Sequence, residues 1–480
     1  MYKNYINGET AEGFYKKHTV INPGNEEVAG IVSMINKRQA QEALDAAQTA
    51  FESWSKLSIS ARELWINRLV DAIEKEKETI LNILMAETGK PLPNALYDYG
   101  MLIDCLKYFI EEAKRMDGSI VSDYDNGFLN LIERKPLGVV IGYLAWNFPL
   151  LNLGYKLGPV LASGCTCILK ASTKTPLSTL YIGKVAEKIG FPGGVFNLVV
   201  GEHKGEENIT SYFNTSKIPK MITLIGSSEV GRQIMKESTT SVKHFSLELG
   251  GNAPVIVTKN ADIEDAAMKI CGLKFDNCGQ ICVAPNRVFV DRQIYGQFID
   301  LAKEFTQKIV IGCAREDGAY TGPLIDEASR NRMLELIEDA LLKGASLVTG
   351  GKIPEGRKKG WYLEPAIICD VTSDMRAYNE EIFGPVMPVI PYDTLKQAVR
   401  MANECEYGLA SYVFTKDLNE ALSLSDAIES GSVCVNQPFY AVNLPHGGIK
   451  ESGIGKDCSR YSLEEYYYIK RRSIKRNEVL

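Results

Sequence analysis

Val139-Val-Ile-Gly-Tyr-Leu144, then Leu150 to Ala162, Thr166-Cys-Ile-Leu-Lys170, Leu177 to Ile189 and Val195-Phe-Asn-Leu-Val-Val200 form the stretch that decides the fold. Apolar runs of strand length alternate here with segments of helical length. Met221-Ile-Thr-Leu-Ile-Gly226 adds another strand, with a helix beginning near Ser228. Strands alternating with helices of about 10–15 residues imply a parallel sheet with crossover helices. Such sheets bind nucleotides beyond the carboxyl ends of their strands, so the loops after these runs are where chemistry is expected.

Working outward, Lys37 to about Met116 places Ala43, Ala46, Ala47 and Ala50, then Leu69, Ile73 and Ile80, at helical spacing, a helical layer without evident chemistry. Before it, Tyr5-Ile-Asn-Gly and Val20-Ile-Asn-Pro-Gly read as short strands closed by turns. Beyond Gly251 a second alternation, with Ala253-Pro-Val-Ile-Val, Asn286-Arg-Val-Phe-Val and Ser411-Tyr-Val-Phe-Thr, predicts a second α/β domain reaching about Asn436. The segment Glu464 to Lys475, rich in tyrosine and cations, alternates like an exposed strand. Unpaired, it is a liability, so it is expected to dock on another subunit.

The chain of 480 residues has a net charge of −6, which gives no reason to expect nucleic acid or an anionic membrane as partner. Its 11 cysteines are scattered and odd in number, no CxxC pair exists, and the 4 histidines are far apart in sequence. Neither a metal site nor a disulfide framework is expected from that spacing. With no apolar leader and no apolar run near twenty residues, the expected compartment is the cytoplasm.

Several loops could carry chemistry. Asn277-Cys-Gly-Gln-Ile-Cys282 lies about thirty residues after Glu248-Leu-Gly-Gly-Asn252. A thiol is a strong nucleophile and a carboxylate can manage its protons, although a buried structural cysteine reads the same way when taken alone. In Gly142-Tyr-Leu-Ala-Trp-Asn-Phe-Pro149 the Asn147 amide could donate to an oxyanion or merely close a turn. Lys170 at a strand end could reach a ribose or phosphate, or simply be solvated. Gly226-Ser-Ser-Glu-Val-Gly231 opens a helix whose amides could meet a pyrophosphate. Glu380-Glu-Ile-Phe-Gly-Pro385 could be no more than a helix end with a turn, and Pro445-His-Gly-Gly-Ile-Lys-Glu-Ser-Gly453 is a loop with exposed backbone.

Together these residues resemble the aldehyde dehydrogenase superfamily. The family's ProTrpAsnPhePro is represented by Ala145-Trp-Asn-Phe-Pro149 and PheThrGlySer by Leu224-Ile-Gly-Ser227, while GluLeuGlyGly, AsnXaaGlyGlnXaaCys and GluXaaPheGlyPro are intact at Glu248, Asn277 and Glu381. The resemblance implies an α/β fold with a Rossmann-like cofactor domain (residues 1–116 and 137–250), a catalytic domain (251–448) and a β oligomerisation arm (117–136 and 460–480) in a homodimer or homotetramer. It implies that Cys282 attacks an aldehyde, that Asn147 and the Cys282 N–H hold the oxyanion, and that Glu248 activates the water that hydrolyses the thioester. It also implies that Trp146, Lys170, Thr173, Gly226, Ser227, Leu249, Glu381 and Phe383 line NAD or NADP, with no metal in the reaction.

The departures from the family bear on specificity. Strictly NAD-dependent members usually carry a Glu three residues after the lysine. Here Thr173, followed by Lys174, predicts that NADP is accepted. Succinate-semialdehyde dehydrogenases, which the chain resembles broadly, hold the distal carboxylate with arginines where this sequence has Asp276 and Tyr155. The tail around His446 is closer to that of aminoaldehyde and betaine-aldehyde dehydrogenases, although the tryptophan often found at the Tyr155 position is missing. Phe148, Tyr155 and Tyr440 could offer π faces to a cation, with Asp276 and Asp98 as charge partners. A protonated His446 could instead hold an anionic tail, as in succinate semialdehyde or sulfolactaldehyde. Cys278, four residues before Cys282, could approach it on a helix-like turn and form a reversible disulfide, or simply fill space.

Overall fold

The structure, a computed structural model, describes residues 1–125 and 127–476. Its first sheet has eight strands in the order Glu9–Ala11, Asn4–Ile6, Phe196–Val199, Thr166–Lys170, Val139–Tyr143, Met221–Ile225, His244–Glu248, Gly453–Ile454. The central five are parallel and the flanking strands antiparallel. Every residue of Val139–Tyr143, Thr166–Lys170 and Met221–Ile225 is buried, which explains why these strands read as continuous apolar runs. Helices Lys37–Trp54, Ile59–Lys75, Lys77–Thr88 and Leu92–Ala113 supply the expected helical layer. The last of them packs on helix Pro149–Ser163, so the loop carrying Asn147 enters a helix held in the core.

The second sheet has seven strands, ordered Ser346–Thr349, Ala366–Cys369, Val386–Tyr392, Arg287–Asp291, Pro254–Val257, Ala410–Phe414, Ser432–Val435. All of its pairings are parallel except that of the first strand. A third sheet joins Tyr467–Lys475 to Phe128–Pro136 and then Ser119–Ser122.

Two readings of the sequence need correction. Glu248 is not in a loop: it ends the strand His244–Glu248, whose short, polar-flanked run hides its burial. The C-terminal tyrosine-rich strand is not a lone ribbon, because one of its edges pairs over nine residues with Phe128–Pro136 of its own chain. Residues 126 and 477–480 of the expected arm lie outside the described residues.

Candidate active site

Helix Ile263–Phe275 ends at Asp276, and the chain then passes through three consecutive left-handed residues, Asn277, Cys278 and Gly279, with φ of 47°, 58° and 70°. The two non-glycine conformations cost about 1–3 kcal/mol each and persist only when their surroundings hold them. Here Cys278 N–H donates to Thr321 Oγ1 (3.1 Å), and the Gln280 amide donates to Asn277 O (3.0 Å) and Pro323 O (3.3 Å) while accepting from Ile325 N–H (2.9 Å). A Cβ on Gly279 would lie 2.2 Å from Gly384 O, so the cysteine loop rests on the backbone of Glu381-Ile-Phe-Gly-Pro385. A Cβ on Gly251 would lie 2.5 Å from Cys282 O, so the second glycine after Glu248 lets the nucleophile's backbone close on the strand end. The motifs are thus mutual packing surfaces.

This path also decides the Cys278 question. The backbone leaves Cys278 through left-handed Cys278 and Gly279 and then an extended-side Gln280 (φ −86°), not a right-handed helical turn. Cys278 is fully buried in the apolar cluster beneath the second sheet, whereas Cys282 opens into the cavity beside Val283 and Leu409. Both thiols are free, and the helix-like turn expected to bring them together is not formed.

Cys282 Sγ lies 4.0 Å from His446 Nε2, and the same nitrogen lies 3.5 Å from Glu248 Oε1. Burial pushes the Cys282 thiol up, and the carboxylates of Glu248 and Glu381 push it further. Asn147 Nδ2 donates to Gln280 O (3.1 Å), and its Oδ1 accepts from Asn152 Nδ2 (3.4 Å), which fixes the amide's orientation and leaves its second hydrogen uncommitted. The His446 backbone pairs with that of Asp457, N to O at 2.7 and 2.6 Å, and the Asp457 carboxylate receives the buried Lys156 ammonium at 2.6 and 2.8 Å. Lys156 stands on the helix that follows Asn147, so one buried ion pair ties the His446 loop to the Asn147 side of the site.

These groups line a cavity of about 650 Å³ that runs along the carboxyl ends of the first sheet's strands. Trp146, Lys170, Thr173, Gly226, Ser227, Leu249, Glu381 and Phe383 are all in its wall. Trp146 and Phe383 meet edge to face at 5.4 Å. Lys170 is buried, and desolvation lowers its ammonium to about 8, with Glu202 offsetting only part of the effect. The Ser227 hydroxyl accepts from Val230 N–H and caps helix Ser228–Glu237, aiming that helix's amino end at the cavity. Glu381 Oε1 accepts from Gly251 N–H (3.1 Å), and burial, with Glu248 nearby, raises its carboxyl to about 7. Lys174, expected beside a 2′-phosphate, is already paired with Asp326 at 2.6 Å. His203, which the sequence reading passed over, lines the same end. The residues fit a dinucleotide: a buried cation, a helix amino end and an aromatic pair share one wall.

At the other end the wall holds Tyr97, Phe148, Leu151, Asn152, Tyr155, Asp276, Tyr440 and His446. The rings of Tyr155 and Tyr440 flank His446 with centroids at 6.2 and 5.8 Å. Asp276 accepts from Asn94 Nδ2; burial raises its carboxyl, and Lys90 partly reverses that. Asp98 is not available to a substrate. Its Oδ2 takes the Lys90 ammonium (2.8 Å) and its Oδ1 accepts from Leu151 N–H (2.7 Å), both in the core. Lys90 also lies 3.7 Å from the centroid of Phe148, so one face of that ring already holds a cation. Tyr97, Asn94 and Lys90 sit in a helical stretch whose alternation signalled only packing.

The sequence profile of the aldehyde dehydrogenase family matches residues 10–471. The chain belongs to that family. It is 37% identical over 452 residues to a mitochondrial succinate-semialdehyde dehydrogenase of Oryza sativa subsp. japonica, covering 94% of this chain and 85% of the relative. It is 34% identical to the NADP(+) succinate-semialdehyde dehydrogenase of Escherichia coli (strain K12), covering 94% of this chain and 93% of the relative. Among solved structures, betaine aldehyde dehydrogenase from Staphylococcus aureus in complex with NAD+ superposes with a TM-score of 0.95 at 32% identity, covering 100% of this chain and 95% of that one. The protein is an NAD(P)-dependent aldehyde dehydrogenase of α/β fold, and among the described residues no helix is long and apolar enough to cross a membrane.

Proposed function

We propose that the substrate is a small aliphatic aldehyde with a cationic or hydroxylated tail, an aminoaldehyde foremost. The observation that carries this is the tail end of the cavity, where Asp276 stands among Tyr97, Phe148, Tyr155 and Tyr440 and no arginine lines the wall. An ammonium there gains a carboxylate and aromatic faces, whereas a carboxylate tail meets a like charge. The second reading, an anionic semialdehyde, draws on His446 and on the relatives named for succinate semialdehyde.

In the chemistry we infer, the Cys282 thiol gives up its proton to solvent, its sulfur forms a bond to the carbonyl carbon, and the carbonyl electron pair moves to oxygen. The Asn147 amide and the Cys282 N–H receive that oxyanion. A bound nicotinamide supplies the acceptor for the hydride lost from that carbon. The Cys282 thioester is then attacked by water whose proton passes to Glu248; the carbon–sulfur bond breaks, and Glu248 returns that proton to the departing sulfur, releasing the acid and the thiol. Glu248, buried and lining the cavity with Cys282, supports that role. Thr173, which places no carboxylate against a 2′-phosphate, supports NADP as well as NAD.

We further assign residues 1–116 with 137–250 to the cofactor domain, 251–448 to the catalytic domain, and 117–136 with the C-terminal strand to an oligomerisation arm. The arm's exposed Ile120, Val121, Ile469 and Ile474 favour a homodimer or homotetramer. The free thiols favour a reducing cytoplasm. Absorbance at 340 nm with 4-aminobutanal, lactaldehyde, sulfolactaldehyde and succinate semialdehyde tests the substrate. The expected order puts 4-aminobutanal first in kcat/KM, and a preference for either anionic aldehyde would overturn the reading.

A further inference from the structure

Sequence spacing gave no metal site, yet folding gathers one set of donors from three distant segments. Glu248, Cys282 and His446 each offer one donor atom, and these atoms all lie within 4.8 Å of one another. Their chemistry is a carboxylate oxygen, a thiol sulfur and an imidazole nitrogen, the donor types that zinc takes in tetrahedral sites. In such a site, metal–ligand bonds of roughly 2.0–2.3 Å set the donors about 3.3–3.6 Å apart. Here Nε2 to Oε1 is 3.5 Å and Sγ to Nε2 is 4.0 Å, so one edge already has tetrahedral length and the sulfur has to close in on the other two donors. A second observation points the same way. Glu248 Oε1 is buried without a hydrogen-bond partner, on a side chain only 5% exposed and aimed into this cluster.

We propose that Cys282, His446 and Glu248 form an inhibitory site for a borderline-soft divalent cation, zinc above all. Zinc forms a bond to the Cys282 sulfur, whose proton leaves to solvent. It also accepts the lone pair of neutral His446 Nε2 and one carboxylate oxygen of Glu248, with water in the fourth position. No electrons are transferred, so a chelator reverses the step. The bound metal occupies the nucleophile and the hydrolytic carboxylate together, which silences the enzyme while shielding its thiol from alkylation and oxidation. His446 is what distinguishes the site: without an imidazole here only two donors remain. The Asp457 backbone pairing and the Lys156 ion pair hold that residue's loop in place whether or not metal is present.

The inference rests on three side chains and not on which aldehyde is oxidised, so it can fail without touching the substrate reading, and the reverse. The test is zinc titration of chelator-treated full-length enzyme by calorimetry, with iodoacetamide alkylation of Cys282 followed by mass spectrometry. One zinc per chain is expected, with Cys282 alkylation slowed in proportion to occupancy and restored by chelator. His446→Gln is expected to weaken binding by at least about 100-fold, the upper end of what loss of even an outer-shell partner costs. Cobalt(II) should give a thiolate-to-metal band that Cys282→Ser abolishes. Zinc that binds without slowing Cys282 alkylation in the unsubstituted enzyme, or that binds His446→Gln and Cys282→Ser as tightly as wild type, would overturn the proposal. The alkylation arm needs no variant to fold.

Discussion

The two ends of the one cavity carry opposite electrostatics. At the cofactor end the lining cations are Lys170 and Lys174, with His203 and a helix amino end beside them, while burial raises the Glu381 carboxyl there to about 7. At the tail end the cation, Lys90, is withdrawn behind Phe148 and locked to Asp98, leaving Asp276 as the charge in the wall. Between them lie Cys282, Glu248 and Asn147, which serve any aldehyde. In the reading proposed above, the difference teaches where identity resides: the middle states the reaction, one end suits an anionic cofactor, and the other selects the substrate.

The comparison breaks most visibly at its middle. Cys282→Ala should lower kcat by about 10⁴-fold or more with every aldehyde, since losing a nucleophile that acts within a unit costs on that scale. A residual rate that depended on the aldehyde's tail charge would mean that the middle is not generic. Asn147→Ala should cost about 10²–10³ in kcat with little change in KM, as loss of one oxyanion donor does. Equal losses for cationic and neutral aldehydes would confirm that the ends and the middle act separately.

A milder effect tests the cofactor end. Burial holds the Lys170 ammonium at about 8, so it is charged below that pH and loses its proton above it. If this charge meets the cofactor, the cofactor's KM should be flat below pH 8 and rise above it, by up to about tenfold per pH unit. In Lys170→Ala, KM should be high throughout and that inflection should disappear. An inflection that survives the substitution would assign the titration elsewhere.

Much of this was legible in the sequence for a simple reason. Parallel strands buried on both faces announce themselves, so Val139–Tyr143, Thr166–Lys170 and Met221–Ile225 were readable to within a residue. The strand His244–Glu248 was not, because its first residue is exposed, its second half-buried and its last a carboxylate. The strand Gly453–Ile454 is too short to carry any pattern. Of the site, the motif residues were legible as a set, while their partnerships were not. His446 and Cys282 are 164 residues apart, and Asp276 and Asn94 are 182 apart. Asp98 showed why a carboxylate near a site in sequence terms is weak grounds for a role: the fold spends it on Lys90 and a helix start.

The most direct test of the account is one ratio, kcat/KM for 4-aminobutanal over kcat/KM for succinate semialdehyde, measured in wild type and in Asp276→Arg. Reversing a charge at the tail position is worth about 1–3 kcal/mol or more across the pair, so the ratio should exceed about ten in wild type and fall below one in the variant. A wild-type ratio below one, or a ratio unchanged by the substitution, would contradict the claim that Asp276 and its aromatic neighbours choose the substrate.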